Sequence, residues 1–471
     1  LQRLLGTARV PKKARDELRF SPASTHVAVQ CAGRIFRVEV LGKDASCILG
    51  VEELHRQLQH IISKVPPPGK GHIELGLGML TREDRDVWAG LRAAVEGHSA
   101  ANRRSLEEVD SALFVVCLDH HEPTSTTQRS QDLLHGRPGN LGNRWYDKMQ
   151  VIWSPSGTIS LCFEHTYSDG IVWNRWLSDI WDHLQGTPSP YSPLPSLPST
   201  SALPPPRELT FELTPALEKA QRDARDKAET LVAQVATNKV HIDTIGKADF
   251  KKWGLSPDAT VQMALQLAYF RLHGTIAPTY ESCSTKAFFH GRTEVIRSAH
   301  VEGAEFCRVV AQQASGVRPG YSPLAKDAQA ALLKAAVLRQ NHLSKLAVQG
   351  HGVDRHLFAL QKVAMGILPT STGQQNGDRS RLPPIFLDAP FTHASTWRLS
   401  TSNPTTVWNE VFNFGPVCDN GYGVGYLIHN HEVLLNVTAF KTSKETDVDQ
   451  LARAIDASFV TLRQLMEESE Y

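Results

Sequence analysis

The sequence predicts an α/β protein of two lobes, and three observations carry that expectation. Short apolar runs bounded by polar or turn residues alternate with stretches whose apolar residues recur at helical spacing. A Pro-rich stretch from Gly186 to Arg207, with no helical period, divides the chain. The 471 residues allow two or three domains, at about 150 residues each. With 41% apolar and 21% charged residues they can fill a sizeable core. The expected division is a first lobe over residues 1–205, closed by the linker at 186–207, and a second lobe over 206–471.

Along the chain, Ala112 to Leu118 and Thr158 to Phe163 read as buried strands. From Gly170 to Leu184, Ile171, Trp173, Leu177, Ile180, Trp181 and Leu184 mark a helix. Beyond the linker, Thr214-Pro215 is an N-cap followed by proline at the first helical position, and Leu217, Ala220, Ala224, Leu231 and Val235 trace its buried stripe. Ser256-Pro257-Asp258 opens a second helix that Gly274 closes. That helix is apolar on nearly every side (Val261, Met263, Leu265, Leu267, Phe270, Leu272) and belongs at the centre of its lobe. Glu432 to Phe440 reads as a strand. Thr446 with Asp449 is expected to cap a terminal helix running through Leu451, Ile455, Phe459, Leu462 and Leu465.

Fifty Lys and Arg against 49 Asp and Glu leave a net charge of +1, which excludes bulk electrostatic attraction to nucleic acid or an anionic membrane. The longest wholly apolar run is Ala112 to Leu118, too short to span a bilayer. Leu1 opens the chain and no signal peptide follows, so a fragment of something longer is possible on this reading. Seven scattered cysteines without a C-x-x-C fit reduced thiols, and the expectation is a soluble intracellular protein of unspecified compartment. No G-x-S-x-G, no H-E-x-x-H and no P-loop occurs, His241 standing where the first P-loop glycine belongs. Gly421 to Gly425 is glycine-rich, but strand-like residues follow rather than a phosphate-binding helix. His120-His121 and His429/His431 lack further ligands at useful spacing, so no metal is expected.

One histidine stands apart. In Glu164-His165-Thr166-Tyr167-Ser168-Asp169-Gly170, a strand meets a helix and Asp169 can reach back to His165. A carboxylate there fixes the ring's tautomer and stabilises its protonated form, as a general base requires. Taken by itself the pattern is a weak signal, and a structural salt bridge or cap is the commoner reason for the same residues.

This H-x-x-x-D-G resembles the catalytic motif of the CoA-dependent acyltransferase superfamily. The rest of the chain is similar to the choline/carnitine acyltransferase family in ordered stretches: Gly142 to Lys148, Leu255 to Ala259 with Gln262 to Tyr269, and Thr279 to Ser282. Gly291 to Glu294, Asp354 to Leu357, Leu399 to Ser402, Phe414 to Val417 and Asp419 to Val424 continue the series. The resemblance implies two chloramphenicol acetyltransferase-like lobes with mixed sheets and a tunnel at their interface. It also implies an O-acyltransferase without an acyl-enzyme: His165 as base, Asp169 as its carboxylate, and Ser402 as oxyanion donor. Lys247, Lys251 and Asp258 match positions against the coenzyme. Tyr280, Thr293, Arg355 and Ser400 match the acceptor site of the carnitine-type branch, and Phe412 the acyl pocket.

The donor implied is an acyl-CoA or an acyl carrier protein's phosphopantetheine thioester, with no permanently bound cofactor. The acceptor is a small hydroxyl compound, carnitine or a polyol. Two departures bear on it: Val295 stands where the carnitine branch usually has a second threonine, and Asp169 where glutamate is usual. The family's N-terminal helical region has no counterpart before Leu1. An alternative is therefore the acyltransferase-like release domain of a fungal highly reducing polyketide synthase, which transesterifies the polyketide from its carrier protein onto a polyol. A third reading, from another class, is a catalytically silent binding module.

Overall fold

The computed structural model describes residues 4–42, 45–65, 67, 75–187, 194–196, 204–314, 324–366 and 378–469. Most of the Pro-rich linker lies outside them. The chain divides into two compact units, Leu1–Ala233 and Gln234–Tyr471, each built on one six-stranded mixed sheet.

In the first unit, the hairpin of β1 (Thr7–Val10) and β2 (Glu17–Phe20) stands apart from the main sheet. The main sheet uses β3 (His26–Cys31), β4 (Arg34–Glu39), β5 (Val115–Leu118), β6 (Gln150–Trp153), β7 (Ile159–Cys162) and β8 (Arg207–Leu209). Their spatial order is β7-β6-β5-β3-β4-β8. The central β6-β5-β3 pairs are parallel and the outer pairs antiparallel. Both faces are covered. Ala28, Val115, Cys117 and Ile152 pack with Trp88 and Trp145, while Val27, Val29, Phe36 and Val38 pack with Ile61. A sheet buried on both faces needs near-continuous apolar strands, which is why β3 and β5 read as they do.

The unit boundary differs from the expected one at residue 205. Strand β8 pairs antiparallel with β4, and the Pro215–Gln234 helix buries Leu217, Ala224 and Ala228 in the first unit's core. Residues 206–233 therefore belong with the first sheet. Thr214 caps that helix as expected, its Oγ1 accepting from Leu217 N at 3.3 Å, but Val235 already belongs to the next strand. On the Gly170–Leu184 helix only Trp173 is buried; Ile171, Ile180, Trp181 and Leu184 are exposed.

The second sheet contains β9 (Val235–Ile242), β10 (Thr279–Ser284), β11 (Thr293–Ile296), β12 (Leu399–Ser402), β13 (Tyr422–Ile428) and β14 (Val433–Phe440). Their order is β11-β10-β12-β13-β14-β9. The sequence of antiparallel and parallel pairs across it repeats that of the first sheet. With residues of the Val301–Ala314 and Lys326–Val348 helices, its core packs the sheet against two helices, Pro257–His273 and Val448–Glu467. The former is buried continuously from Ala259 to Tyr269 and ends at Gly274, whose φ of 69° is left-handed. The terminal helix is capped by Asp447 rather than by Thr446: Asp447 Oδ1 accepts from Asp449 N and Gln450 N at 2.8 and 2.9 Å. Thr446 instead donates its hydroxyl to Phe440 O.

One buried cation gives the first unit a testable pH response. Lys148 is 1% exposed and donates to Thr7 O at 3.0 Å and Asp110 O at 2.8 Å. Burial pushes its ammonium down to about 7, against the pull of Asp110 and Asp147. Between pH 7 and the ordinary lysine range the unfolded chain thus holds a proton that the folded chain lacks. The penalty is full below about pH 7 and is relieved as pH rises. The melting temperature of wild type relative to Lys148→Met is expected to increase from pH 7 to 9 by differential scanning fluorimetry. A constant difference would show that Lys148 stays charged throughout.

Candidate active site

His165 lies in a bend between β7 and the Gly170–Leu184 helix, with its side chain 65% exposed. Asp169, mostly buried, is that helix's N-cap residue, where a carboxylate faces the positive end of the helix dipole. Its Oδ1 is 3.5 Å from His165 Nδ1, within ion-pair range though longer than an optimal hydrogen bond. The arrangement directs Nδ1 toward the carboxylate. Phe163 packs against the imidazole with ring centroids 5.6 Å apart.

In the second unit, strand register gathers four of the remaining candidates on one sheet face. Tyr280 pairs with Ser400 across β10 and β12, and Ser400 and Ser402 pair with Gly423 and Gly425 of β13. Alternation along each strand puts Tyr280, Ser400 and Ser402 on the same side, with Thr293 and Val295 in line on β11. The first turn of the Asp354–Ala364 helix brings Arg355 to that edge. Its Nη2 donates to Tyr280 Oη at 3.0 Å and to Thr293 Oγ1 at 3.1 Å, and its Nε to Thr293 O at 3.3 Å. Glu294 bonds the Arg355 backbone N–H, not the guanidinium. Among the described residues Arg355 has no carboxylate partner, so its charge is available to an anion. Val295 is buried and brings no hydrogen-bonding group to this face.

The glycines of β13 have a packing role. A Cβ on Gly425 would come within 2.5 Å of Phe412 O and 2.8 Å of the Phe412 ring, and one on Gly423 within 3.0 Å of Phe414 O. The missing side chains let the segment 412–415 lie flat on the sheet, held by Asn436 Nδ2 to Phe412 O (3.1 Å) and Thr438 Oγ1 to Phe414 O (2.7 Å). Phe412 is thereby fixed over Gly425, the neighbour of Ser402.

Lys247 and Lys251 lie four apart on the short Lys247–Lys252 helix. Both are exposed, and among the described residues neither has an ion-pair partner. Asp258 is different: its Oδ1 accepts from Tyr426 Oη at 2.7 Å and Asn403 Nδ2 at 2.8 Å, and its carboxyl lies beside that of Glu281. These bonds tie it to the chain's own residues, including the one after Ser402.

Sequence reasoning missed this underside of the sheet. Glu281 accepts from Ser298 Oγ at 3.0 Å and Gln340 Nε2 at 2.5 Å, and Gln262 Nε2 donates to Thr401 Oγ1 at 3.0 Å. Burial, with Asp258 beside it, holds the Glu281 carboxyl well above the usual range. Gln262 and Gln266 in an otherwise apolar helix were the available signal.

The Choline/Carnitine o-acyltransferase family profile matches residues 1–457. The chain belongs to this family. Carnitine O-palmitoyltransferase 2, mitochondrial, of Homo sapiens is 33% identical over 443 residues, covering 93% of this chain and 62% of that protein. The Xenopus tropicalis protein of the same name is 33% identical, covering 97% and 65%. Choline O-acetyltransferase of Sus scrofa is 30% identical over 484 residues, covering 99% and 70%. The chain therefore spans less than two thirds of the length of those palmitoyltransferases. Among solved structures, the SgcC5 protein of Streptomyces globisporus is 11% identical with a TM-score of 0.36, covering 74% of this chain and 80% of that one. Family members named for carnitine and for choline lie within three percentage points of identity. The acceptor must be read from the site.

Proposed function

We propose that this family member transfers an acyl group from an acyl-CoA thioester to the hydroxyl of a small carboxylate-bearing acceptor of the carnitine type. The observation that carries the reading is Arg355, a guanidinium framed by the Tyr280 and Thr293 hydroxyls on the sheet face of Ser400 and Ser402. Choline has no carboxylate to match it. His165 Nε2 takes the acceptor's hydroxyl proton as the oxygen attacks the thioester carbonyl. The tetrahedral oxyanion takes a hydrogen bond from Ser402. Collapse breaks the C–S bond, and the imidazolium returns its proton to the departing thiolate. Lys247 and Lys251 hold the coenzyme's phosphates, while Asp258 supports that region through Tyr426 and Asn403. Phe412 limits the depth of the acyl pocket.

The test measures free thiol released from acyl-CoAs of increasing chain length, with L-carnitine, choline or glycerol as acceptor. Turnover is expected with carnitine, falling with chain length and extended to longer chains in Phe412→Gly. Preference for glycerol and a carrier-protein thioester would instead favour polyketide release. No thiol release with any acceptor would sink the enzyme reading.

A further inference from the structure

The residue before His165 is tied into a chain of charges that the mechanism above does not use. Glu164 is 6% exposed at its side chain, and its carboxylate clamps the bend: Oε2 accepts from Thr166 N at 2.8 Å and Oε1 from Thr166 Oγ1 at 2.7 Å. Glu164 Oε1 also accepts from Arg9 Nη1 of β1 at 3.1 Å. Arg9 Nε continues to Asp16 Oδ2 at 2.5 Å, and Arg85 Nε reaches the same oxygen at 3.0 Å. Arg85 Nη1 then bonds Asp147 Oδ1 at 2.5 Å, and Trp88 Nε1 bonds Asp147 Oδ2 at 2.8 Å. Asp147 and Trp88 are fully buried. The row thus runs from the core outward, each link an ion pair or a charge-assisted hydrogen bond, and ends on the two residues flanking His165.

We propose that Glu164, held by Arg9, is a positioning residue for His165, fixing the bend that presents the imidazole while Arg9 offsets the carboxylate's charge. The proposal rests on the reading of His165 as the base. Its reasoning is physical. A bend exposed to solvent has few packing contacts to hold a ring in place, and hydrogen bonds to both the N–H and the hydroxyl of Thr166 remove its freedom. Yet a bare carboxylate beside a base would favour the imidazolium, which cannot accept a proton, and the paired guanidinium counters that. The other charged groups around the bend are Asp169 at the start of the following helix, Asp16, Arg85 and Asp147 behind Arg9, and Arg82 and Arg144 across Cys162 of β7.

The experiment follows kcat/KM for thiol release against pH in wild type, Glu164→Gln, Arg9→Met, the double variant and Thr166→Val. Glu164→Gln removes a negative charge beside the ring while Arg9 stays paired with Asp16, so the acid limb moves to lower pH; Arg9→Met leaves the Glu164 charge without its counter-ion, so it moves to higher pH. Each shift is expected at about half a pH unit, and the double variant returns toward wild type. Thr166→Val, which keeps both charges, lowers kcat severalfold with the limb unmoved and the KM for acyl-CoA unchanged. A merely structural pair would not produce opposed limbs. Superimposable limbs in both single variants, with His165→Ala inactive, overturn the inference and leave the proposed reaction standing. Full activity in His165→Ala overturns both.

Discussion

Replacing His165 by alanine is expected to lower kcat for thiol release by about 100- to 10,000-fold, the range that a positioned general base supplies. The KM for acyl-CoA should hardly change, because the proposed phosphate contacts belong to Lys247 and Lys251. Folding should survive as well: the side chain is 65% exposed, and its loss empties no core. The acid limb of the pH–rate profile should vanish with the imidazole, since the remaining activity no longer needs a neutral ring. Asp169→Asn separates orientation from chemistry. It keeps the N-cap position but loses the charge that faces His165 Nδ1 at 3.5 Å, so a smaller loss in kcat is expected. A His165→Ala variant that keeps wild-type kcat would place the base elsewhere. Equal loss in both variants would show that the carboxylate is as necessary as the ring.

The placement of His165 and Asp169 was legible because its signal is local: strand, bend, histidine, then a carboxylate four residues on at a helix start. The same holds for the Pro257–His273 helix, where proline, acidic first turn and glycine stop all lie within the element. What could not be read was non-local. Nothing in the three residues of β8 says that they pair with β4, some 170 positions earlier, so the lobe boundary was set too early. Nor does local pattern place Tyr280 opposite Ser400, a register that decides which hydroxyls share a face. The glycines of β13 were legible as unusual but not as a bed for residues 412–415, because their reason is the approach of another segment's backbone. The cap of the terminal helix slipped by one residue for a simpler cause. Asp447 and Thr446 are both competent caps, and Thr446 is drawn off by the carbonyl of Phe440.

The acceptor is where the second large effect is expected. Arg355→Ala should raise the KM for L-carnitine on the order of 10- to 100-fold, the equivalent of one hydrogen bond to a charged group at about 1.5–3 kcal/mol. Its kcat should be nearly kept, because the proposed carboxylate contact would hold the acceptor without touching the reacting oxygen. Two features make the guanidinium the right group to remove. Tyr280 Oη and Thr293 Oγ1 fix its plane, and the nearby acid Glu294 is occupied with the backbone N–H of Arg355. Arg297, another arginine in this region, is paired with Asp354 at 2.5 Å and lies over the Trp397 ring at 5.0 Å, so it is not free to take over. Arg355→Lys should recover only part of the loss, since a point charge cannot meet both hydroxyls and a carboxylate in one plane. An uncharged polyol should be indifferent to either change. If carnitine turnover were equally indifferent, the acceptor would not be a carboxylate, and the hydroxyl row of Tyr280, Thr293, Ser400 and Ser402 would be left to recognise a neutral one.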